Sequence, residues 1–418
     1  MTISLTQRGL RCCLLLSSQR LALSNTRYSS QLVLGIETSC DDTGAAVVDA
    51  ASRTVLGEAI HRQTMVHTLH GGINPPVAKD LHKQHIHSVV TDAMTAAGVQ
   101  YSDLHAVATT LKPGLAMSLI VGRDYGRDVA LQHGLPFIPI HHMEAHTLTV
   151  RMIEQVEFPF LCLLVSGGHC MLVLCEDIDR YSRLGSSLDD APGEAFDKGA
   201  RTLNLRSLPE FMAMSGGAAI EELARQGDPN CYSLNKSAPL SGYRDCNFSF
   251  SGLKENLRHL VEPLEEEHGL DGDTVLPSPT LQNLCASYQH AVFQHIIRRT
   301  HRALIYLDTT RAIPDTVQKT LVVSGGVASN KCLREWLQKL CSIEGGYRVV
   351  CPPPELCTDN GVMIAWNGAE RLLADKGVLR DTQAIRDVDI MHRCPLGEDI
   401  SQEVASMRIK ISKYVKML

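Results

Sequence analysis

The chain lacks several features that would settle its class at once. It has no Cys-x-x-C pair although it carries 14 cysteines in 418 residues, so neither a zinc ribbon nor a dithiol redox site is expected, and scattered reduced thiols are. The nearest approach, Cys351 and Cys357 in CPPPELC, is stiffened by three prolines and reads as a rigid loop. No Walker A, G-x-G-x-x-G or G-x-S-x-G string occurs, which disfavours P-loop, Rossmann and α/β-hydrolase chemistry. No apolar run approaches the roughly 20 residues that a membrane helix needs; the most apolar stretch, Leu161 to Cys175, is cut by Ser166-Gly167-Gly168-His169. No membrane partner is expected. With 21% charged and 44% hydrophobic residues, disordered, collagen-like and coiled-coil chains are excluded, and two or three domains are anticipated.

Acidic residues are missing from the start. The first is Glu37, whereas residues 1–30 hold four Arg and six Ser. A cationic segment that can set a basic face against Leu14, Leu15, Leu16, Leu21 and Leu23 reads as a mitochondrial presequence, and matrix localisation is expected. Processing is expected near Arg27-Tyr28-Ser29. Removal of residues 1–30 takes the formal charge from −6 to −10, because that segment carries four Arg and no acid. A nucleic-acid partner would then have to meet a local basic patch. Lys79 to His87 and Arg298-Arg299-Thr300-His301-Arg302 are the visible basic clusters, and each reads more readily as a solvated helix face.

What is present is a repeated order of elements. Leu32 to Ile36 and Ala45 to Val48 flank a tight turn; Phe158 to Val165 and Cys170 to Leu174 flank another. Later in each half a strand meets a glycine turn and a helix: Val107 to Thr110, then Lys112-Pro113-Gly114; and Leu321 to Val323, then Ser324-Gly325-Gly326. A last strand and helix close each half, at Phe137 to Ile140 and at Arg348 to Val350. The fold class is therefore α/β. The duplicated order is that of the actin-like ATPase (ASKHA) fold, two ribonuclease-H-like halves with ligand bound in a central cleft. A single doubly wound sheet with hairpin decorations is the competing reading. The domains are expected at 31–150 and 151–380, with a helical insertion at about 205–280 and a C-terminal tail over 381–418.

His142 and His146 are spaced i, i+4, so on a helix both imidazoles leave one face and can hold one divalent ion. The spacing alone is weak. The pseudo-repeat strengthens it, because the place equivalent to the His pair in the second half carries Asp359. Two imidazoles and a carboxylate describe a catalytic metal site with open positions. A zinc peptidase is the obvious rival, but HHMEAH is neither H-E-x-x-H nor H-x-x-E-H. Glu144 lies about 200° around the helix from His142 and cannot act as base on the ligand face. The turns at Ser166-Gly167-Gly168 and Ser324-Gly325-Gly326 let backbone N–H groups approach an anion such as a nucleotide or acyl phosphate.

At this point nine ordered motifs resemble those of the tRNA N6-adenosine threonylcarbamoyltransferases: LGIETSCDDTG (34–44), HTLHGGINPP (67–76), KPGLAMSLIVG (112–122), HHMEAH (141–146), LLVSGGH (163–169), DDAPGEAFDK (189–198), FSFSGLK (248–254), SGGVASN (324–330) and CTDNG (357–361). The resemblance runs from about 32 to 375. It implies transfer of a threonylcarbamoyl group from threonylcarbamoyl-AMP to N6 of the adenosine 3′ of the anticodon, in mitochondrial tRNAs that read codons beginning with adenine. AMP is released and no covalent enzyme intermediate is needed. It implies one divalent metal ion per subunit, zinc or iron, on His142, His146 and Asp359. It implies substrate contacts at Leu164, Val165, Ser166, Gly167, Gly168, Asp197, Gly217 and Asn330; Gly217 is the least direct, since the family's PGG is here Ser215-Gly216-Gly217. A monomer or homodimer without an obligate protein partner is expected. Asp41 is a candidate proton acceptor or water-mediated metal partner, with capping of the hairpin turn as its other reading. Departures such as Cys40-Asp41-Asp42-Thr43 in place of CDET and Asn74-Pro75-Pro76 in place of VPE leave the metal triad and glycine turns intact. A metallopeptidase and a non-catalytic nucleotide-binding module are the alternative functions.

Overall fold

The computed structural model describes residues 30–69, 72–212, 214–234, 239–270 and 274–411. Nearly all of the expected presequence, Asp271-Gly272-Asp273 and residues 412–418 lie outside them. The first half runs β1 (Leu32–Glu37), β2 (Thr43–Asp49), β3 (Thr54–His61), α1 (Thr64–Leu69), α2 (Pro75–Ala97), β4 (Ala106–Lys112), α3 (Ala116–His133), β5 (Phe137–His141), α4 (His142–Leu148) and α5 (Val150–Ile153). The second opens with β6 (Phe160–Val165), β7 (Cys170–Asp177) and β8 (Arg180–Ser186). Three helices without counterpart in the first half follow, α6 (Pro192–Thr202), α7 (Gly216–Ala224) and α8 (Ser251–His268). The repeated order then resumes with α9 (Thr280–Thr310), β9 (Thr320–Ser324), α10 (Lys331–Glu344), β10 (Arg348–Val350) and α11 (Gly361–Leu373). After these come α12 (Thr382–Asp387), β11 (Glu398–Asp399) and α13 (Ser401–Ser406).

The two sheets are duplicates. Their strand orders are β3-β2-β1-β4-β5 and, read in the same sense, β11-β8-β7-β6-β9-β10. In each, the opening strand pairs antiparallel with the second and parallel with the fourth. This is a pair of ribonuclease-H-like units in the actin-like arrangement, not one doubly wound sheet.

Strand periodicity explains the layers. In β1, Leu34 and Ile36 point to one core with Ile86 and Val90 of α2, while Val33 points the other way, toward α11. In β6, Leu161, Leu163 and Val165 join Val292 and Ile296 of α9, while Phe160, Cys162 and Leu164 meet Met143 and Leu148 of α4. Strands buried on both faces read as unbroken apolar runs, as these do. The closing helices α4 and α11 therefore form a shared layer between the two sheets, and they touch each other. Their N-termini bring the candidate metal ligands together. Among the described residues no helix is long and apolar enough to cross a membrane.

Candidate metal centre and cleft

Local sequence sets both approaches to the centre. His141 ends β5 and caps α4, its Nδ1 accepting from the Met143 amide at 3.2 Å, which starts the helix at His142. Asn360 caps α11, its Oδ1 accepting from Met363 N at 2.8 Å, and leaves Asp359 just outside the first turn. Close approach of α11 to the first sheet depends on missing side chains. A Cβ on Gly44 would lie 2.7 Å from Gly361 N, and one on Gly35 would collide with the Ala365 backbone.

His142, His146 and Asp359 converge, with one potential ligand atom from each all within 4.8 Å of one another. Asp359 Oδ1 lies 3.0 Å from His146 Nε2 and 3.4 Å from His142 Nε2. The two rings stand edge to face, at 88°. His142 Nδ1 is occupied on its other side by Glu37 Oε2 at 3.1 Å and the Ser39 hydroxyl at 3.0 Å. Glu37 is itself held by Thr110 Oγ1 at 2.7 Å and the Ser39 amide at 2.5 Å. A carboxylate on the far nitrogen of a ligating imidazole is the usual outer support of a metal site, fixing the tautomer that leaves Nε2 for the ion.

The electrostatics point the same way. Burial alone would push the His142 imidazole down, but Asp359 and Glu37 outweigh it and raise its pKa to about 10. The field that favours a proton there favours a divalent cation in its stead. Burial would raise Glu37 and Asp359, yet the His142 charge holds both below the ordinary carboxylate range. The donor set, two imidazole nitrogens and one carboxylate with an outer carboxylate behind, fits zinc or iron.

The centre opens into a cleft of about 880 Å³ between the halves. Its second-half wall carries Ser166, Gly167 and Gly168 from the β6–β7 turn, with Asp197, Lys198 and Arg201 from α6. The turn is tightened by Ser166 Oγ, which accepts from the His169 amide at 3.0 Å. Gly325 in the neighbouring turn has φ +99°, and a Cβ there would strike the Val165 carbonyl, so glycine lets the two turns lie side by side. Burial pushes the Asp197 carboxyl up, although the Gly216 amide donates to it at 2.8 Å. The first-half wall carries Asp41 and Asp42. Burial first, then Asp41, raises Asp42 to about 6 despite its 3.2 Å ion pair with Arg62.

The other expected contacts stand further back. Leu164 and Val165 are buried strand residues whose side chains enter two different cores, and their backbone leads into the Ser166 turn. Gly217 lies in the first turn of α7 beside the Gly216–Asp197 bond. Asn330 caps α10, accepting from Leu333 N at 3.2 Å and donating from Nδ2 to Gln289 at 3.0 Å. Neither Gly217 nor Asn330 is among the residues lining the cleft.

This geometry has close relatives by sequence. The model of the family TsaD, tRNA N6-adenosine threonylcarbamoyltransferase, matches residues 54–366. The mitochondrial tRNA N6-adenosine threonylcarbamoyltransferase of Rattus norvegicus is 48% identical over 386 residues, covering 92% of this chain and 91% of its own. The chain belongs to this family of acyltransferases. The mitochondrial enzyme of Homo sapiens is similar to the same degree, 48% over 386 residues with 92% and 91% covered. A tRNA N6-adenosine threonylcarbamoyltransferase of Sinorhizobium medicae is 41% identical over 345 residues, covering 82% of this chain and 90% of its own.

Family membership gives several motifs a structural reading. Asp189 accepts from Ser249 Oγ at 2.6 Å, Ser251 Oγ at 2.8 Å and Phe250 N at 2.8 Å, tying DDAPGEAFDK to FSFSGLK at the start of α8. Asp190 pairs with Lys198 at 2.8 Å and Lys254 at 3.4 Å. Glu144 is buried and doubly bonded to Arg371, at 2.5 and 2.7 Å. A carboxylate so engaged is not available to activate water, which removes the base a peptidase would need there.

Sequence reasoning passed over Glu37 and Ser39. A carboxylate closing the apolar run LVLGIE was the available signal, since an acid at the end of a fully buried strand requires a partner. His392 also lines the cleft, and nothing in its sequence surroundings marked it.

Proposed function

We propose that this chain transfers the threonylcarbamoyl group from threonylcarbamoyl-AMP to N6 of the adenosine 3′ of the anticodon, in mitochondrial tRNAs reading codons that begin with adenine, and that it works in the matrix as a monomer or homodimer. The observation that carries the reading is one cleft with the His142–His146–Asp359 cluster at its base and the Ser166–Gly168 turn on its wall. Transfer of an acyl group from a phosphate needs both features: a place for a cation and a set of backbone donors for an anion.

An adenine N6 amine is a weak nucleophile because its lone pair is shared with the ring. The new bond joins N6 to the carbamoyl carbon, the bond from that carbon to the phosphate oxygen breaks with its electron pair leaving on AMP, and N6 gives up a proton. The Ser166 amide donates to the His169 carbonyl at 2.8 Å and closes the turn, and the backbone N–H groups of Gly167 and Gly168 hold the phosphate as its charge grows. Asp197, with Gly217 beside it, takes ribose hydroxyls, and Leu164, Val165 and Asn330 set the turns that present these groups. Asp41 receives the departing proton, directly or through water. A divalent ion on His142, His146 and Asp359 would supply Lewis-acid polarisation of the acyl donor. Acceptor adenosine and acyl donor held together reduce the reaction to one of orientation.

The test supplies the chain with threonylcarbamoyl-AMP and an unmodified mitochondrial tRNA of the stated class, and digests the RNA for mass spectrometry. Threonylcarbamoyladenosine and AMP are expected in equal amounts. Release of AMP without modified nucleoside would instead favour hydrolysis of a bound nucleotide.

A further inference from the structure

The C-terminal segment bridges the two halves. Beyond α11 the chain exchanges backbone hydrogen bonds between Leu379 and Phe137, each 2.9 Å, at the β5 edge of the first sheet. It ends by pairing β11 with β8, at the edge of the second sheet. In between, three bonds pin it beside the cleft. Met391 N donates to Leu111 O at 2.9 Å, Gly114 N donates to His392 O at 3.3 Å, and His141 Nε2 donates to Cys394 O at 3.0 Å. Leu396 is then buried against the second half with Tyr181 and Val173. The segment is a strap fixed at both ends. It lies outside the span matched by the family model.

His392 is the strap residue that lines the cleft. Its backbone is fixed by Gly114, its side chain is exposed, and among the described residues that side chain has no hydrogen-bond or ring partner. We propose that His392 is a specificity-determining contact for the RNA acceptor, stacking on the adenine turned out to receive the acyl group. This rests on the function proposed above.

The walls of the cleft are chemically unequal. The second-half wall offers the backbone N–H groups of the Gly167–Gly168 turn and Arg201, which suit a phosphate, beside Asp197 and a Lys198 already paired with Asp190 and Glu194 at 2.8 Å each. The first-half wall offers Pro113 and Leu115, with His392 beside them, together with Asp41 and the Asp42–Arg62 ion pair at 3.2 Å. Free amides and a guanidinium serve a phosphate, whereas a proline, a leucine and an imidazole give flat, weakly polar faces. A base removed from its stack needs such faces, and in RNA recognition they are commonly aromatic or imidazole rings. With the acyl donor on the N–H wall, the acceptor base is left the wall that His392 completes.

The test compares the full chain with His392→Ala and His392→Phe, measuring KM for tRNA and for threonylcarbamoyl-AMP separately, and tRNA affinity by fluorescence anisotropy without donor. His392→Ala is expected to raise the tRNA KM and dissociation constant roughly tenfold, the scale of one lost stacking contact, and to leave the KM for threonylcarbamoyl-AMP within twofold. His392→Phe is expected to restore most of the tRNA affinity, which a merely structural role for the strap would not. Equal tRNA affinity in wild type and His392→Ala, or no recovery with phenylalanine, overturns the contact. A wild-type chain that binds tRNA yet forms no threonylcarbamoyladenosine overturns the proposed function instead, and the affinity comparison still decides the fate of His392.

Discussion

The Glu37 carboxylate sits 3.1 Å from His142 Nδ1, behind the ring whose Nε2 faces Asp359 at 3.4 Å. The imidazole is thereby clamped between an inner and an outer carboxylate. Glu37→Gln keeps the shape and removes the charge, so affinity for a divalent ion is expected to fall about 10- to 100-fold, with little change in fold. A competitive titration against a chelator measures it. Affinity within twofold of wild type would show that Glu37 does not support the centre.

Gly35 tests how Asp359 reaches the histidines. A side chain at this position in β1 would collide with the Ala365 backbone and push α11 off the first sheet. Gly35→Ala is expected to cost about 1–3 kcal/mol of stability, the range for overpacked cores, and to weaken metal binding as well because Asp359 rides on the N-terminus of that helix. Denaturant titration and metal titration on the same preparation separate the two effects. Loss of stability with metal affinity intact would mean that Asp359 is placed by its own loop.

Glu144 belongs to the scaffold, on the far side of α4 from the metal ligands. Glu144→Ala leaves the half-buried Arg371 guanidinium without its carboxylate, and a loss of up to about 3 kcal/mol is expected, the lower end of the range for a broken buried pair. The catalytic rate per folded molecule should hold, and Glu144→Ala combined with Arg371→Met should recover part of the stability. A rate that collapses in a folded Glu144→Ala chain would revive a catalytic role for this carboxylate.

His295 gives the fold an acid-sensitive point remote from the cleft. It is 4% exposed, stands edge to face with Phe248 and Phe250, and accepts from Ser249 N at 3.1 Å. Burial, helped by Arg299 and Arg298, pushes its pKa down to about 3. Since the folded value lies below the ordinary 6.5, its contribution is complete above about pH 6.5 and drains away as pH falls toward 3. The slope attributable to this one ring is about 1.4 kcal/mol per pH unit within that window. Urea unfolding at pH 6 and pH 4.5 should show a flatter dependence in His295→Gln than in wild type. Parallel dependences would assign the acid sensitivity elsewhere.

The legible parts of the fold are those where side-chain pattern and element type coincide. The runs 32–37 and 160–165 are apolar at every position but Gly35 and Glu37, as strands between two helical layers must be, and the repeat of strand, turn and helix around them implied the duplicated sheets. The same repeat brought Asp359 to His142 and His146, which no spacing within either motif could have done. The strap stayed hidden for a physical reason. Residues 389–396 follow neither the helical nor the strand period, and their course is set through their own backbone, by bonds to the Leu111 and Gly114 backbone and to the His141 imidazole, which leave no trace in the strap's residue types. Glu37 escaped because its partner lies 105 residues away.

Whether the His142–His146–Asp359 centre serves acyl transfer is decided by a metal titration. Chain stripped of metal is reloaded stepwise with zinc or iron, and threonylcarbamoyladenosine formation is followed against metal content for wild type and Asp359→Ala. Activity is expected to rise linearly and saturate at one ion per chain, with Asp359→Ala folded, metal-poor and inactive throughout. Full activity in the stripped wild-type chain, or in Asp359→Ala, would contradict it.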